Sequence, residues 1–364
     1  MINVLYGDML EILPTLEENS FDSCVTDPPY HLQSIGHNRP IAKRGLVGME
    51  WDGGDVAFRP GTWAEIYRVL KPGAFLVAFS GTRTYHRIAC AVEDAGFDIR
   101  DQLAWVYGTG FPKSLDVSKA IDKIMGRERV ILSETPAFGG ICGKGVLNRR
   151  DVINATYKVD NGPVSNEAIK WEGWGTALKP AWEPIVFARK PLEEKTVAAQ
   201  VLETGTGALN IDACRIQSVD SPEGSRSRHG GGVPGNSTSY ELPDSTSCMP
   251  AGHWPANILH DESEEVVEFF PNKTSRFFYS AKANAKDRAG SKHPTVKPVS
   301  LMEWLCSLVT QPGGIVLDPF AGSGTTGIAC KNLGFNCTLI EREKEYIMDI
   351  YNRFENLQNE EKER

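Results

Sequence analysis

Two short segments near opposite ends of the chain constrain its fold most. Residues 21–26 run Phe-Asp-Ser-Cys-Val-Thr into Asp27-Pro28-Pro29-Tyr30. Residues 314–317 run into Asp318-Pro319-Phe320-Ala321-Gly322-Ser323-Gly324-Thr325-Thr326. Each junction falls where a strand should give way to a loop. In an open α/β sheet that carboxyl edge is where ligands bind.

The rest of the pattern agrees with such a sheet. Apolar runs at residues 2–6, 21–26, 74–79, 99–107, 184–188, 314–317 and 335–340 read as strands. Helices are expected at 9–16, broken by Pro14, and at 61–70, 83–95 and 302–309. This βαβα rhythm predicts a doubly wound α/β sheet. Two polar, basic stretches interrupt it, 108–176 and 205–275, and the second carries Ser-Gly-Asn clusters from about residue 218 onward. The expected organisation is one α/β domain in two halves, 1–107 and 276–364. Residues 177–204 return to its sheet, and the two stretches are inserts. Residues 31–58 show little periodicity and read as a mobile loop over the site.

The first segment suits a flat base that carries an exocyclic amine. Such an amine is a poor nucleophile, because its lone pair is delocalised into the ring. A carboxylate that accepts one N–H and a carbonyl that accepts the other favour a pyramidal nitrogen. Asp27 is the candidate carboxylate and the Pro28 carbonyl the candidate second acceptor. Pro28 and Pro29 stiffen the turn that holds them. Tyr30 offers a face on which a base drawn out of a duplex can stack.

The second segment suits a nucleoside-type cofactor. Gly322 and Gly324 let backbone approach a ligand closely. Thr325 and Thr326 open a helix whose first N–H groups suit a carboxylate. Glu341 ends the next strand roughly 20 residues after the turn, the spacing of a ribose-hydroxyl acceptor. A phosphate-binding loop fits poorly, because no Gly-Lys-Ser/Thr follows this turn. The Gly143-Lys144 pair lacks the glycine five residues before it.

At 364 residues the chain has room for one large domain with a smaller insertion. No apolar run is long enough to span a membrane and no basic-then-apolar leader opens the chain, so a cytoplasmic protein is expected. The eight cysteines are scattered without a Cys-x-x-Cys, which signals neither zinc nor a disulfide scaffold. Reduced thiols are expected, several of them buried. The formal net charge of −8 is awkward for a nucleic-acid partner. Yet acids crowd into 11–18, 261–268 and 341–360, while Arg127, Arg129, Arg149, Arg150, Arg226, Arg228 and residues 273–292 gather basic charge. That leaves open a basic face on an acidic protein. His31 can touch a bound base, and His37, His86, His253 and His260 read as surface or capping residues. Trp51, Trp171, Trp174, Trp182 and Trp254 read first as packing and second as groups that stack on DNA.

These motifs, in this order, resemble the β-class DNA amino-methyltransferases, in which the catalytic motif precedes the cofactor motif and the recognition region lies between. The resemblance covers nearly the whole chain. It implies a circularly permuted, Rossmann-like fold, S-adenosylmethionine (SAM) as cofactor, double-stranded DNA as partner and no metal. Asp27, Pro28, Pro29 and Tyr30 match the catalytic motif. Asp8, Met9 and Leu10 resemble the short acidic motif that approaches the cofactor's adenine. His293, Thr295, Lys297 and Pro298 match the motif that lines its methionine end. Asp318, Phe320, Ala321, Gly322, Ser323, Gly324, Thr325 and Thr326 match the cofactor motif, with Asp318 beside the amino group, and Glu341 is the ribose acid. The lack of a Pro-Cys dipeptide argues against the cytosine-carbon enzymes, which need a thiolate. The expected activity is methyl transfer to adenine N6, because Asp heads the catalytic motif. Cytosine N4 is the alternative, and a non-catalytic DNA-binding decoy a further one. Dimers are common in the family. The recognition sequence and any partner endonuclease are not written in these motifs.

Overall fold

The computed structural model describes residues 1–31, 54–108, 110, 114–136, 156–216, 252–268, 270, 278–280, 285–288, 291, 293 and 295–362. Apolar runs bounded by turn residues become strands. They are β1 (Ile2–Tyr6), β2 (Phe21–Thr26), β3 (Leu70–Phe79), β4 (Asp98–Val106), β5 (Ile131–Pro136), β6 (Thr156–Asp160), β7 (Trp182–Arg189), β8 (Ile258–His260), β9 (Tyr279–Ser280), β10 (Ile315–Asp318) and β11 (Asn336–Glu341). Nine form one sheet in the order β1-β11-β10-β2-β3-β7-β4-β8-β9, and β5 pairs with β6 apart from it.

Neighbours from β1 to β3 are parallel, and β7 runs antiparallel to both β3 and β4. From β10 the chain crosses through the helix Thr325–Leu333 to β11 on one side. From β2 it crosses through the helix Pro60–Val69 to β3 on the other. The adjacent pair β10 and β2, in register at Val316↔Ser23 and Leu317↔Cys24, is therefore the switch point of the sheet. Crossovers that leave in opposite directions open a crevice at the carboxyl ends of the two strands. Asp27 follows β2 there, and the glycine turn follows β10.

Alternation along β3 shows how the core divides. Phe75, Val77 and Phe79 join one apolar cluster with Leu301 and Leu305 of the helix Val299–Val309. Ala74, Leu76 and Ala78 join the other with Trp63 and Ile66 of the helix Pro60–Val69. A period of two with helices on both faces is the doubly wound arrangement.

Two differences from the sequence reading have physical causes. The strand expected at 74–79 begins earlier, at Leu70, and runs through Pro72. The pairing shifts between Phe21↔Leu70 and Ser23↔Phe75, so an irregularity absorbs the proline, and Gly73 takes φ +81°. Residues 205–275 were read as an insert, yet β8 lies within them and extends the main sheet beside β4. Three residues are too short to show periodicity. Residues 114–136 and 156–176 contain helices Val117–Ile124 and Asn166–Lys170 beside the β5–β6 pair. Their hub is buried Asp122, which accepts from Arg129 Nε (2.7 Å), Val164 N (3.1 Å) and the Ser165 N–H and hydroxyl (3.0 and 2.7 Å). Among the described residues no helix is long and apolar enough to cross a membrane. Five described cysteines are buried and Cys90 is exposed, while Cys142 and Cys248 lie outside the described residues.

Trp63 is fully buried and its indole N–H donates to the Ala57 carbonyl at 2.9 Å. Trp63→Ala is expected to cost about 3–5 kcal/mol through lost contacts and a residual cavity. Trp174, 60% exposed, is the contrast. Trp174→Ala should stay within about 0.5 kcal/mol. Thermal and denaturant unfolding of the two variants check both values.

Candidate active site

The glycine turn is held from below by a buried carboxylate. Asp318 is 2% exposed and accepts from Thr26 Oγ1 at 2.7 Å, Thr326 Oγ1 at 2.5 Å and Phe320 N at 3.2 Å. Burial pushes its carboxyl up to about 6, against the pull of the two threonine hydroxyls. Thr26 belongs to β2 and Thr326 to the helix after the turn, so one side chain ties both walls of the crevice.

Above it, Gly322 and Gly324 have φ of +52° and +77°. A Cβ on Gly322 would stand 3.2 Å from His293 Nε2, and one on Gly324 would stand 2.9 Å from Ile350 Cγ1. Glycine is required there by conformation and by space. Glu341 Oε2 accepts the Gly322 N–H at 2.7 Å, and its Oε1 accepts the Glu343 N–H at 2.7 Å. Burial pushes Glu341 up to about 7 in spite of these donors. Arg353, 1% exposed, donates to the Ser323 carbonyl (2.6 Å) and to the Ser323 and Thr325 hydroxyls (both 3.0 Å). It comes from the C-terminal helix Lys344–Lys362 and also reaches the Asp287 carbonyl at 2.5 Å.

On the facing wall the Tyr30 hydroxyl lies 2.6 Å from Asp27 Oδ1 and 2.9 Å from Glu183 Oε2. Lys297 Nζ lies 2.6 Å from Asp27 Oδ2, 3.1 Å from Glu183 Oε2 and 3.2 Å from the Tyr30 oxygen. Two acids, one ammonium and one phenol thus share a pocket. Burial alone would lower Lys297, but the Asp27 and Glu183 carboxylates hold it above the usual ammonium range. Burial and the same two acids push Tyr30 well up, so the phenol keeps its proton. Burial brings His293 down to about 4, which leaves a neutral imidazole. Its ring packs edge-on against Tyr346 with centroids 4.4 Å apart.

One cleft of about 1120 Å³, solvent at its mouth included, joins the two walls. Asp27, Pro28, Pro29 and Tyr30 line it, as do Asp8, Met9, His293, Thr295 and Lys297. So do Asp318, Phe320, Ala321, Gly322, Ser323, Thr325, Thr326 and Glu341. Leu10, Pro298 and Gly324 stand outside the lining. Leu10 gives its N–H to the Asp8 cap (2.9 Å), Pro298 caps the helix Val299–Val309, and Gly324 turns the backbone from behind. Lys297, expected at a cofactor's methionine end, instead contacts Asp27. Asp318 lines the cleft, but both its oxygens already serve the fold.

Sequence reasoning did not assign Glu183, Arg353 or Tyr346. The available signal for Glu183 was an acid on the second residue of an apolar strand at the carboxyl edge. No local signal marks Arg353, whose role exists only once the C-terminal helix docks. The cradle fits a nucleoside cofactor with a carboxylate tail: positive-φ glycines that leave no room for Cβ, a helix start, and an acid at the end of the adjoining strand.

Residues 21–352 match the family model described as DNA methylase. The type II methyltransferase M.HindIII of Haemophilus influenzae is 25% identical over 92% of this chain and 89% of its own. Two solved structures resemble the fold. M1.HpyAVI, in complex with SAM, has TM-score 0.45 and 19% identity over 97% of this chain and 99% of that one. The PvuII DNA methyltransferase, cytosine-N4-specific, has TM-score 0.47 and 16% identity over 97% and 86%. The match to the family model spans most of the chain, and this protein belongs to the DNA methylase family, the SAM-dependent N6/N4 methyltransferases of DNA.

Proposed function

We propose that the enzyme methylates adenine N6 in double-stranded DNA by swinging the base into the cleft. The observation that carries this reading is the placement of Asp27 and the glycine turn on adjacent strands of one crevice. SAM supplies an electrophilic methyl group on a sulfonium sulfur. Asp27 accepts one amine N–H, the Pro28 carbonyl accepts the other, and the lone pair is left pointing toward the cofactor wall. The base stacks on Tyr30, whose hydroxyl bonds fix the ring. Ser323 lies in the turn before the helix that takes the cofactor's carboxylate, Thr325 and Thr326 begin that helix, and Glu341 takes the ribose. Asp8 and Met9 border the adenine end, with His293 and Thr295 near the methionine end. Adenine is preferred because Asp heads the motif, where the resembling cytosine-amine enzymes more often carry Ser or Thr. Target choice lies in the inserts, 108–176 and 205–275, because the catalytic sheet must serve the same cofactor and base at every site. In the first, Trp171 and Trp174 are exposed and form an edge-on pair with centroids 5.0 Å apart.

The product nucleoside decides the base. Mass spectrometry of digested, enzyme-treated DNA is expected to show N6-methyl-2′-deoxyadenosine. Methyl on cytosine N4 alone would assign the other base, and no methyl on any duplex would remove the activity.

The two walls should separate by mutation. Asp27→Ala is expected to lower methyl transfer by about 10²–10³-fold and to leave SAM affinity within about tenfold, because the carboxylate acts on the amine. Gly324→Ala puts a Cβ against Ile350 in a left-handed backbone, and SAM affinity should fall by about tenfold or more. Calorimetric titration of both variants distinguishes the roles, and equal loss of cofactor affinity would contradict them.

Cofactor affinity should also depend on pH through Glu341, whose carboxyl titrates at about 7. Ribose hydroxyls donate to the ionised form, so binding favours loss of that proton. Affinity should therefore rise as pH increases through about 7 and weaken below it. Glu341→Gln should weaken binding and flatten this part of the profile between about pH 6 and 8. An unchanged slope would assign the titration to another group.

A further inference from the structure

Both oxygens of the proposed amine acceptor are engaged in this structure. Oδ1 of Asp27 faces the Tyr30 hydroxyl and Oδ2 faces the Lys297 ammonium, each at 2.6 Å. A carboxylate neutralised by an ammonium at that distance is a weak acceptor for an incoming amine. Lys297 cannot simply move out to water. It is 7% exposed, and its Nζ lies 4.7 Å from the centroid of the Phe79 ring. A buried ammonium that leaves one counter-charge needs another.

Glu183 is placed to be that second counter-charge. It enters from β7, which runs antiparallel to β3 and so delivers its first residues to the carboxyl edge. Its Oε2 is 3.1 Å from Lys297 Nζ, against 2.6 Å for Asp27 Oδ2. We propose that Glu183 is the alternative seat of Lys297: as the target amine reaches Asp27, the ammonium transfers its closest bond to Glu183 and frees Asp27 Oδ2. The Tyr30 hydroxyl stays where it is. Its single proton has the same two acids as acceptors, and Asp27 keeps it as Lys297 turns to Glu183. No covalent bond changes and Lys297 keeps its proton throughout. Glu183 acts through Lys297 and is a positioning residue. The proposal rests on Asp27 as the acceptor of the amine.

Glu183→Gln removes the second charge and keeps the shape. Its effect is read in single-turnover transfer of labelled methyl from SAM to DNA from a strain lacking its own methyltransferases. Beside an active wild type, Glu183→Gln should transfer at least about tenfold more slowly at saturating DNA, with calorimetric SAM affinity within about twofold. The discriminating variant is Glu183→Gln combined with Lys297→Met. If a lysine held on Asp27 causes the loss, its removal should restore at least about threefold of the rate, whereas damage to packing would accumulate. Glu183→Asp, which keeps the charge on a shorter arm, should transfer faster than Glu183→Ala. A Glu183→Gln rate within twofold of wild type overturns the proposal, as does a double variant no faster than Glu183→Gln. So does an Asp variant as slow as the Ala variant. In each of these cases the active wild type leaves the reading of Asp27 standing. A wild type that moves no methyl to any duplex overturns both.

Discussion

A single buried carboxylate connects the parts on which the site depends. Asp318 ends β10, and its oxygens are taken by hydroxyls from the two elements that leave the switch point, Thr26 and Thr326. Removing a carboxylate from water is costly unless its lone pairs are satisfied in place. Here three donors meet it, and its titration still rises to about 6 because burial outweighs them. The bonds it makes have a geometric consequence. They hold the end of β2, and hence Asp27, at a fixed offset from the first turn of the helix Thr325–Leu333. A crevice between diverging crossovers could gape or close. This one is pinned at its floor, so the two reacting partners of a methyl transfer can be held on facing walls.

The wall that carries Asp27 is organised on a different principle. Asp27, Glu183, Lys297 and Tyr30 form a cluster in which every member has a partner. Pairing allows charges in a buried pocket, and the surrounding low dielectric makes each bond geometrically demanding. The cluster is therefore pre-organised, and on the proposed reading the substrate amine competes for an acceptor already in use. The four residues come from three distant parts of the chain: the turn after β2, the entrance of β7, and the segment before the helix Val299–Val309. Sheet order, with β3 the one strand between β2 and β7, brings these separated residues together.

This distinction also explains how much could be read in advance. The strands β1 and β2 and the helix Pro60–Val69 were legible because each carries its own pattern and its own stops. Asp27, Gly322 and Glu341 were legible because each sits within a local motif whose chemistry follows from adjacent residues. Lys297 was found as a motif residue, but its contacts with Asp27 and Glu183 were not. Its neighbours in sequence do not show that Asp27 and Glu183 will stand beside it. Arg353 was invisible for the same reason in stronger form. It lies in a polar helix among other charged residues, and only docking turns its guanidinium into the brace of the Ser323 turn. Strands β8 and β9 escaped because three and two residues carry no period, and their pairing depends on β4 already being in place. The loop expected over residues 31–58 falls mostly outside the described residues.

The segment between β4 and β7 shows how a long excursion of the chain can coexist with a fixed site. Its roots are adjacent strand ends, Val106 opposite Trp182. A neck closes just beyond them: Leu115 N donates to Thr176 Oγ1 and Thr176 N to Ser114 Oγ, both at 2.9 Å, and Asp116 bridges to Gly175. Past the neck the helices Val117–Ile124 and Asn166–Lys170 are joined through Asp122, which is buried among its own donors and not against the sheet. Once the neck is closed, lengthening the chain beyond it costs only a slowly growing loop entropy. The catalytic edge feels a fixed pair of strand ends whatever the segment contains. Because β7 carries Glu183 one residue inside that root, the same pairing that anchors the insert also sets the position of an acid in the cleft. The boundary between the insert and the cleft therefore runs between Trp182, exposed at the root, and Glu183, which faces Lys297.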